Sequence, residues 1–349
     1  MISTTIAPTE PKDAALDATR RAVDLLQAGE VVALPTETVY GLGADAFNET
    51  AVAKVFEAKE RPTFDPLIVH IPSVEDLWRV AKVPSEIEKD VHRVAQEFWP
   101  GPLTIVLPKT DAVPDLVTAG LPTVAVRVSG HPIMSRIVRT LGNPIAAPSA
   151  NRFGRISPTS ASAVMTELEG RIPLIVDGGA CSAGLESTII RIEASEKNKP
   201  IFHLLRSGPV TPEQLKTIGK IQRQKPTDRP SAEPGPQESP GQLASHYAPS
   251  TPLRLLKQNI EFTPEPNKNY ALLSYRGEPK DGFLQLHDWA EVGVLSPGSG
   301  KLAEAAVRFF FVLRQLDESG VDEIIAEPIS EVGLGVAMMD RLRRASFRD

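Results

Sequence analysis

Lys59 and Arg61 stand where a helical pattern over Glu49–Lys59 runs out, and Pro62 and Pro66 stiffen the exit into the apolar stretch Pro66–Ile71. Two cations on a rigid turn can hold a phosphate or a carboxylate, the arginine through a bidentate fork and the lysine as a point charge. The same placement also suits a solvated last turn, where both charges meet the helix dipole favourably. A third cation, Arg127, lies inside Thr123-Val124-Ala125-Val126-Arg127-Val128. Strand alternation puts Thr123, Ala125 and Arg127 on one face, opposite the valines. A buried Arg127 therefore needs an anion, either a protein carboxylate or one brought by a substrate. His70 ends an apolar strand, a position that serves structure or surface as readily as catalysis. The run AAPSANRFGRISPT over residues 146–159 follows the short strand Pro144–Ala147 and offers small hydroxyl and amide side chains, with Arg152 and Arg155 close behind. Glu186-Ser187-Thr188, just before Ile189-Ile190, repeats small hydroxyls at a strand mouth. Strand ends rich in hydroxyls, cations nearby and no metal-ligand cluster point to a site for an anionic ligand.

Other nucleotide and nucleophile chemistries lack their residues. Gly41-Leu42-Gly43-Ala44-Asp45-Ala46 has the dinucleotide spacing, but a dinucleotide fold needs those glycines to close a strand and open a helix directly. Here the strand ends near Leu34 and the helix starts near Glu49, so the glycines read as tight turns beside something bound. No G-x-x-x-x-G-K-[ST] and no G-x-S-x-G occurs, which removes a P-loop and a hydrolase nucleophile elbow.

These residues need elements to hold them. Of the 349 residues, 41% are hydrophobic, and that length predicts two domains. Cys181 is the one cysteine, which excludes an internal disulfide framework and a cysteine-based zinc site and fits a reducing cytoplasm. A net charge of −6 argues against binding nucleic acid through a basic face. No apolar run reaches the roughly 18 residues of a membrane span, and no basic-then-apolar leader opens the chain. The first dozen residues read as frayed. Helices are predicted near 13–28, 49–59, 87–98, 132–141 and 159–169, with Ser73 and Asp76 as a capping pair for another. Strands are predicted at 31–34, 66–71, 103–107, 123–128, 144–147, 174–176, 187–192 and 202–205. Mixed strands and helices in one block give an α/β class. Composition changes at Pro209, and residues 209–249 hold eight prolines with no sustained apolar period, which is linker composition. Beyond it come strands at 253–256, 270–275 and 323–326, an amphipathic helix carrying Leu302, Ala306, Phe309, Leu313 and Leu316, and a last helix near 335–346. The expected organisation is a larger α/β domain at 14–208, a Pro-rich linker at 209–250 and a small α/β domain at 251–349.

Taken in order, these segments resemble the YrdC-like family in its two-domain form. The resemblance rests on Pro35-Thr36-Glu37-Thr38-Val39-Tyr40-Gly41-Leu42-Gly43, on Lys59-x-Arg61-Pro62 with Pro66-Leu67 and His70, and on Trp99-Pro100-Gly101-Pro102-Leu103-Thr104. It continues through Val126-Arg127-Val128, Ala147-Pro148-Ser149-Ala150-Asn151 and Glu186-Ser187-Thr188-Ile189. In the second half, Ser239-Pro240-Gly241 with His246-Tyr247-Ala248-Pro249 resembles the linker motif, and Gly333-Leu334-Gly335 through Asp340-Arg341-Leu342 the C-terminal signature.

The resemblance implies a twisted mixed-sheet YrdC-like domain and one reaction: L-threonine, bicarbonate and ATP give threonylcarbamoyl-AMP and pyrophosphate, with Mg²⁺ accompanying ATP. The product would feed a separate tRNA threonylcarbamoyl transferase complex. By the same carry-over Lys59 and Arg61 are catalytic, neutralising ATP phosphates and the carboxy group being activated. Thr123, Ala147, Ser149, Asn151, Ser157 and Arg206 line the nucleotide, with Tyr247 closing over it. Thr36, His70, Arg127, Ser149 and Ser187 hold threonine, and no protein side chain ligates a metal. Three positions depart from the family pattern: Asp65 stands where asparagine is common, Gln242-Leu243-Ala244-Ser245 replace basic and aromatic residues, and Arg191 replaces an acid. The rival readings are an RNA-binding regulatory module, which the charge and the lack of interleaved basic and aromatic residues oppose, and a carbamoyltransferase of hydrogenase maturation. The second needs zinc-finger and acylphosphatase regions for which this single-cysteine chain has no room.

Overall fold

The computed structural model describes residues 2–195, 199–223, 239–241 and 246–347. Contacts divide the chain into two units, Met1–Phe153 with Pro158–Ser182 and Glu186–Gln242, and Gly154–Ser157 with Ala183–Leu185 and Leu243–Asp349.

The first unit runs β1 (Thr5–Pro8), α1 (Lys12–Gln27), β2 (Val32–Leu34), β3 (Gly41–Asp45), α2 (Glu49–Lys59), β4 (Ile68–His70), α3 (Glu88–Phe98), β5 (Leu103–Pro108) and α4 (Asp115–Thr118). It continues β6 (Thr123–Arg127), α5 (Pro132–Leu141), β7 (Ile145–Ala146), α6 (Ala161–Leu168), β8 (Leu174–Asp177), β9 (Thr188–Glu193), β10 (Ile201–Arg206), α7 (Pro212–Lys216) and β11 (Lys220–Arg223). Among the described residues these strands form one mixed sheet in the order β1-β8-β2-β3-β7-β4-β6-β5-β9-β10-β11.

The apolar periods explain the layering. Val52 and Val55 of α2, Val91 and Val94 of α3, and Val164 and Leu168 of α6 join Val69, Ile105, Val124, Val126 and Ile190 in the main core. On the β1-β8-β2 side, α1 and α5 bury Ala18, Leu26, Met134 and Ile137 against Leu34, Leu174 and Val176. Away from that core, Ile68, Val106, Ala125, Ile189 and Leu205 form a separate small apolar patch. That patch lies on β4, β6, β5, β9 and β10, which are consecutive in the sheet.

Four local readings change. The chain start is not frayed: β1 runs parallel to β8 with Thr5 opposite Leu174, and Thr9 Oγ1 donates to Asp177 O at 2.7 Å. Residues 212–223, linker by composition, form α7, whose Thr211 and Gln214 make a reciprocal capping box, and β11, which pairs with β10. Gly41 and Gly43 lie in a strand and not in turns. Their missing side chains answer packing, since a Cβ at Gly43 would stand 2.9 Å from Ile145 and 3.0 Å from Leu34. After Ser73 comes a 3₁₀ turn over Val74–Arg79, and Ser73 Oγ bonds the Asp76 carboxylate at 2.9 Å instead of capping a backbone N–H.

The second unit holds β12 (Leu253–Leu255), β13 (Tyr270–Ser274), β14 (Glu291–Val294), α8 (Leu302–Asp317), β15 (Glu323–Ala326) and α9 (Leu334–Ser346). Its sheet order is β12-β15-β13-β14, all parallel, as a small α/β unit requires. The sequence pattern missed β14, whose Glu-Val-Gly-Val run alternates over only four residues and carries a glycine, too short a signal to announce a strand. Residues 242–245, where the linker motif departs from the family pattern, lie outside the described residues. Among the described residues no helix is long and apolar enough to cross a membrane.

Candidate active site

The sheet collects the candidate residues at the two ends of its central strands. β4 and β6 are parallel, with His70 opposite Arg127 at their C-terminal ends. β5 is antiparallel to β6, and β9 parallel to β5, so Thr104 and Ser187 come to that same edge. β10 is antiparallel to β9 and ends there with Arg206. Alternation then places Thr123 and Arg127 on the face of Ala125, and His70 on the face of Ile68. Those two are members of the small apolar patch, so polar and cationic side chains flank an apolar floor.

The edge at His70 is built around Arg127. Six residues join the antiparallel pair β2 and β3, and Thr36 fixes that loop: its Oγ1 accepts from the N–H groups of Thr38 at 3.1 Å and Val39 at 3.3 Å and donates to Val39 O at 2.6 Å. Thr38 Oγ1 contacts Thr36 Oγ1 at 2.8 Å and accepts from Arg127 Nη1 at 2.9 Å. Arg127 Nε donates to Gly101 O at 3.1 Å, and Nη2 lies 2.7 Å from Glu37 Oε1. Nε and Nη1 each make one hydrogen bond and Nη2 is ion-paired with Glu37, which leaves N–H groups on both terminal nitrogens for a second carboxylate.

Glu37, to which no role was given from sequence, is the protein anion that Arg127 requires. It also accepts from Ser129 Oγ at 2.5 Å and from the Gly130 N–H at 2.9 Å. Burial pushes its carboxyl up, but the Arg127 charge and these hydrogen bonds outweigh that and hold it at about 2. Because the folded value is depressed, the stabilisation is present above the ordinary range near 4.5 and is lost as pH falls toward 2. Glu37→Gln is thus expected to lower unfolding free energy by roughly 3 kcal/mol at neutral pH. In denaturant titrations the gap from the parent should close as pH drops through that window, and a gap independent of pH contradicts the clamp.

His70 is 3% exposed, and its Nδ1 has no hydrogen-bond partner among the described residues. Burial, then the Arg127 charge, push the imidazole down to about 3, so it is neutral at pH 7. A buried ring nitrogen without a partner, beside an arginine with donors to spare, suits a polar ligand. Ser187 shares its hydroxyl with Thr104 at 2.8 Å and accepts from Arg206 Nη2 at 3.1 Å, while Arg206 Nε donates to Ser187 O at 3.0 Å.

At the other end of β4 lie Lys59 and Arg61. Neither is solvated: they are 1% and 7% exposed. Helix α2 stops because Glu60 turns left-handed at φ 53°, which carries Arg61 back under the helix, its N–H on Phe56 O at 3.0 Å. Lys59 Nζ donates to Ser149 O at 2.5 Å and to Asn151 O. Burial and the neighbouring Arg61 charge push this ammonium well below its ordinary range, against the pull of Asp65 and Glu167. Residues 147–153 are stitched in place around it, with Ala147 N–H on Ile68 O, Ala150 N–H on Tyr40 O and Phe153 N–H on Lys59 O, each at 2.8 Å. Asn151 Nδ2 donates to Arg152 O at 2.7 Å. Thr123 opens β6 at this same end, roughly 13 Å along the strand from Arg127.

The two arginines of the loop have protein partners. Arg152 meets Glu167 at 3.4 Å, and Arg155 donates to Ser250 Oγ at 2.6 Å. Ser157 and Tyr247 belong to the second unit. There Tyr247 adopts φ 63°, with its ring 4.1 Å from His246, 5.8 Å from Phe310 and 5.3 Å from the Arg341 guanidinium. Among the described residues no group of three or more His, Cys, Asp or Glu side chains is placed to hold a metal ion.

Comparison with known proteins bears on the family and the fold. The Sua5/YciO/YrdC family model, described as "Telomere recombination", matches residues 24–208, and that of the threonylcarbamoyl-AMP synthase C-terminal domain matches residues 210–346. The chain is 40% identical to a threonylcarbamoyl-AMP synthase of Pyrococcus abyssi over 94% of this chain and 93% of that protein. It is 42% identical to one of Bacillus subtilis over 93% and 92% respectively. A crystal structure of P. abyssi Sua5 complexed with L-threonine superposes with a TM-score of 0.81 at 38% identity, covering 99% of this chain and 97% of that one. The chain belongs to the Sua5/YciO/YrdC family, in the two-domain form of the threonylcarbamoyl-AMP synthases.

Proposed function

We propose that this chain is a nucleotidyltransferase that joins L-threonine, bicarbonate and ATP into threonylcarbamoyl-AMP, with release of pyrophosphate. One observation carries the reading: buried cations stand at both ends of one short strand, Lys59 and Arg61 before β4 and Arg127 beside its end, with an apolar floor between them. Such a face suits two anionic substrates meeting head to head.

Threonine's neutral amine and bicarbonate condense to a carbamate and water. The carbamate oxygen then attacks the α-phosphorus, forming the new O–P bond as the bond to pyrophosphate breaks. The carbamate is itself the nucleophile, so no protein nucleophile is needed. The chain's task is to align two anions and offset their repulsion. Arg127 takes threonine's carboxylate on its uncommitted N–H groups, held in plane by Glu37, Thr38 and Gly101. Thr36, His70, Ser149 and Ser187 surround that amino acid. Lys59 and Arg61 face the phosphates, Thr123, Ala147 and Asn151 line the nucleotide at that end, and Arg206 reaches it from the Ser187 side. Mg²⁺ enters as part of the MgATP substrate. The cations and hydroxyls here suit phosphate oxygens. The product passes in the cytoplasm to a tRNA threonylcarbamoyl transferase, and this chain itself binds neither nucleic acid stably nor membrane.

The test is isotopic. Label from bicarbonate should enter a nucleotide-linked product only when threonine and ATP are both present. Adenylate formed without label would overturn the reading.

A further inference from the structure

Asp65 is fully buried, and its carboxylate stands among the cations assigned to polyphosphate. Its Oδ2 lies 2.9 Å from Arg61 Nη2, yet neither oxygen accepts a well-formed hydrogen bond among the described residues. Burial pushes the carboxyl above its ordinary range, while Arg61, Lys59 and Arg206 pull it down. A buried carboxylate so sparsely bonded is a poor source of stability. Nor does Arg61 need it for orientation. The guanidinium is already fixed by two main-chain carbonyls, Nε donating to Asp65 O at 3.2 Å and Nη2 to Pro66 O at 2.9 Å. Neither bond depends on the side chain at position 65. What that side chain adds is a negative charge.

We propose that Asp65 is a built-in counter-charge that sets how tightly the Lys59–Arg61 pair holds polyphosphate. The proposal rests on the reading of those two residues as the polyphosphate cations. In the empty site the carboxylate offsets the repulsion between two buried like charges. Once polyphosphate arrives, a like charge faces it across one guanidinium, and the Coulomb term weakens the complex. ATP is then held less tightly than the cations alone would hold it, and pyrophosphate leaves more readily for the same reason.

Calorimetric titration of the full chain with pyrophosphate tests this in the parent, Asp65→Asn and Asp65→Ser. Asparagine keeps the shape and serine removes it, while both remove the charge. Both variants should lower the pyrophosphate Kd at least about tenfold, with the threonine Kd changed by less than about twofold. Unchanged or weaker pyrophosphate binding in folded Asp65→Asn overturns the proposal. So does tightening by asparagine alone, which would trace to its amide donor, or an equal gain for threonine. A parent that binds no pyrophosphate would instead overturn the polyphosphate reading of Lys59 and Arg61, so the two failures are told apart.

Discussion

Lys59→Ala is expected to cut adenylate formation by about a thousandfold, the upper end of what one preorganised charge donor contributes to catalysis. The side chain is 1% exposed, and two of its three N–H bonds are committed to Ser149 O and Asn151 O. The ammonium is thus aimed before the substrate arrives, and no reorganisation is needed when charge develops on the transferring phosphoryl group. It is also poorly solvated, with its proton affinity lowered by burial and by Arg61. A polyanion relieves both costs at once, which is why its loss should fall on turnover. The fold should survive the change, because backbone bonds from Ala150, Leu42 and Phe153 hold the same loop independently. Turnover together with thermal melting decides the matter. A folded variant running near the parental rate contradicts the charge-neutralising role.

Arg127→Ala should raise the threonine KM by at least about a hundredfold, as expected for the loss of a charge-assisted fork on a carboxylate in a buried site. ATP affinity should change little, because Arg127 sits at the opposite end of β6 from Thr123 and beside His70, away from the Lys59 loop. Removing the guanidinium also strands the buried Glu37, so a stability loss of about 3–5 kcal/mol should accompany it. Adding Glu37→Gln to Arg127→Ala separates the two effects. Stability should return in large part, while the threonine KM stays high. A variant that loses ATP binding instead, with its threonine KM unchanged, contradicts the assignment of this edge.

Much of the frame was legible because its signals are local. Helix α2 coincides with the run predicted at 49–59, and Asn48 caps it at Ala51 N–H, 3.1 Å away. Strand β6 shows its two faces in the bare alternation of Thr, Val, Ala, Val and Arg. Strand β1 was not legible, since its pairing partner β8 lies 169 positions on, as Thr5 opposite Leu174 shows. Helix α7 was hidden by proline-rich surroundings, though Thr211 and Gln214 carried the capping signature. At the site, the alternation around Arg127 gave its face and its need for an anion. The protein partner is Glu37, which occupies one side of the guanidinium. Glu37 itself was hidden, because an acid between two threonines in a loop reads as solvated until the sheet brings Ser129 and Gly130 against it. Likewise, only the three-dimensional return of residues 65–66 under α2 shows that Asp65 and Pro66 are what Arg61 holds.

The most direct measurement incubates the folded chain with MgATP, bicarbonate and L-threonine and follows pyrophosphate and the nucleotide product by mass. The expected result is threonylcarbamoyl-AMP and pyrophosphate in equal amounts, formed only when all three substrates are present. Pyrophosphate release that does not depend on threonine, or no release at all from folded chain, would contradict it.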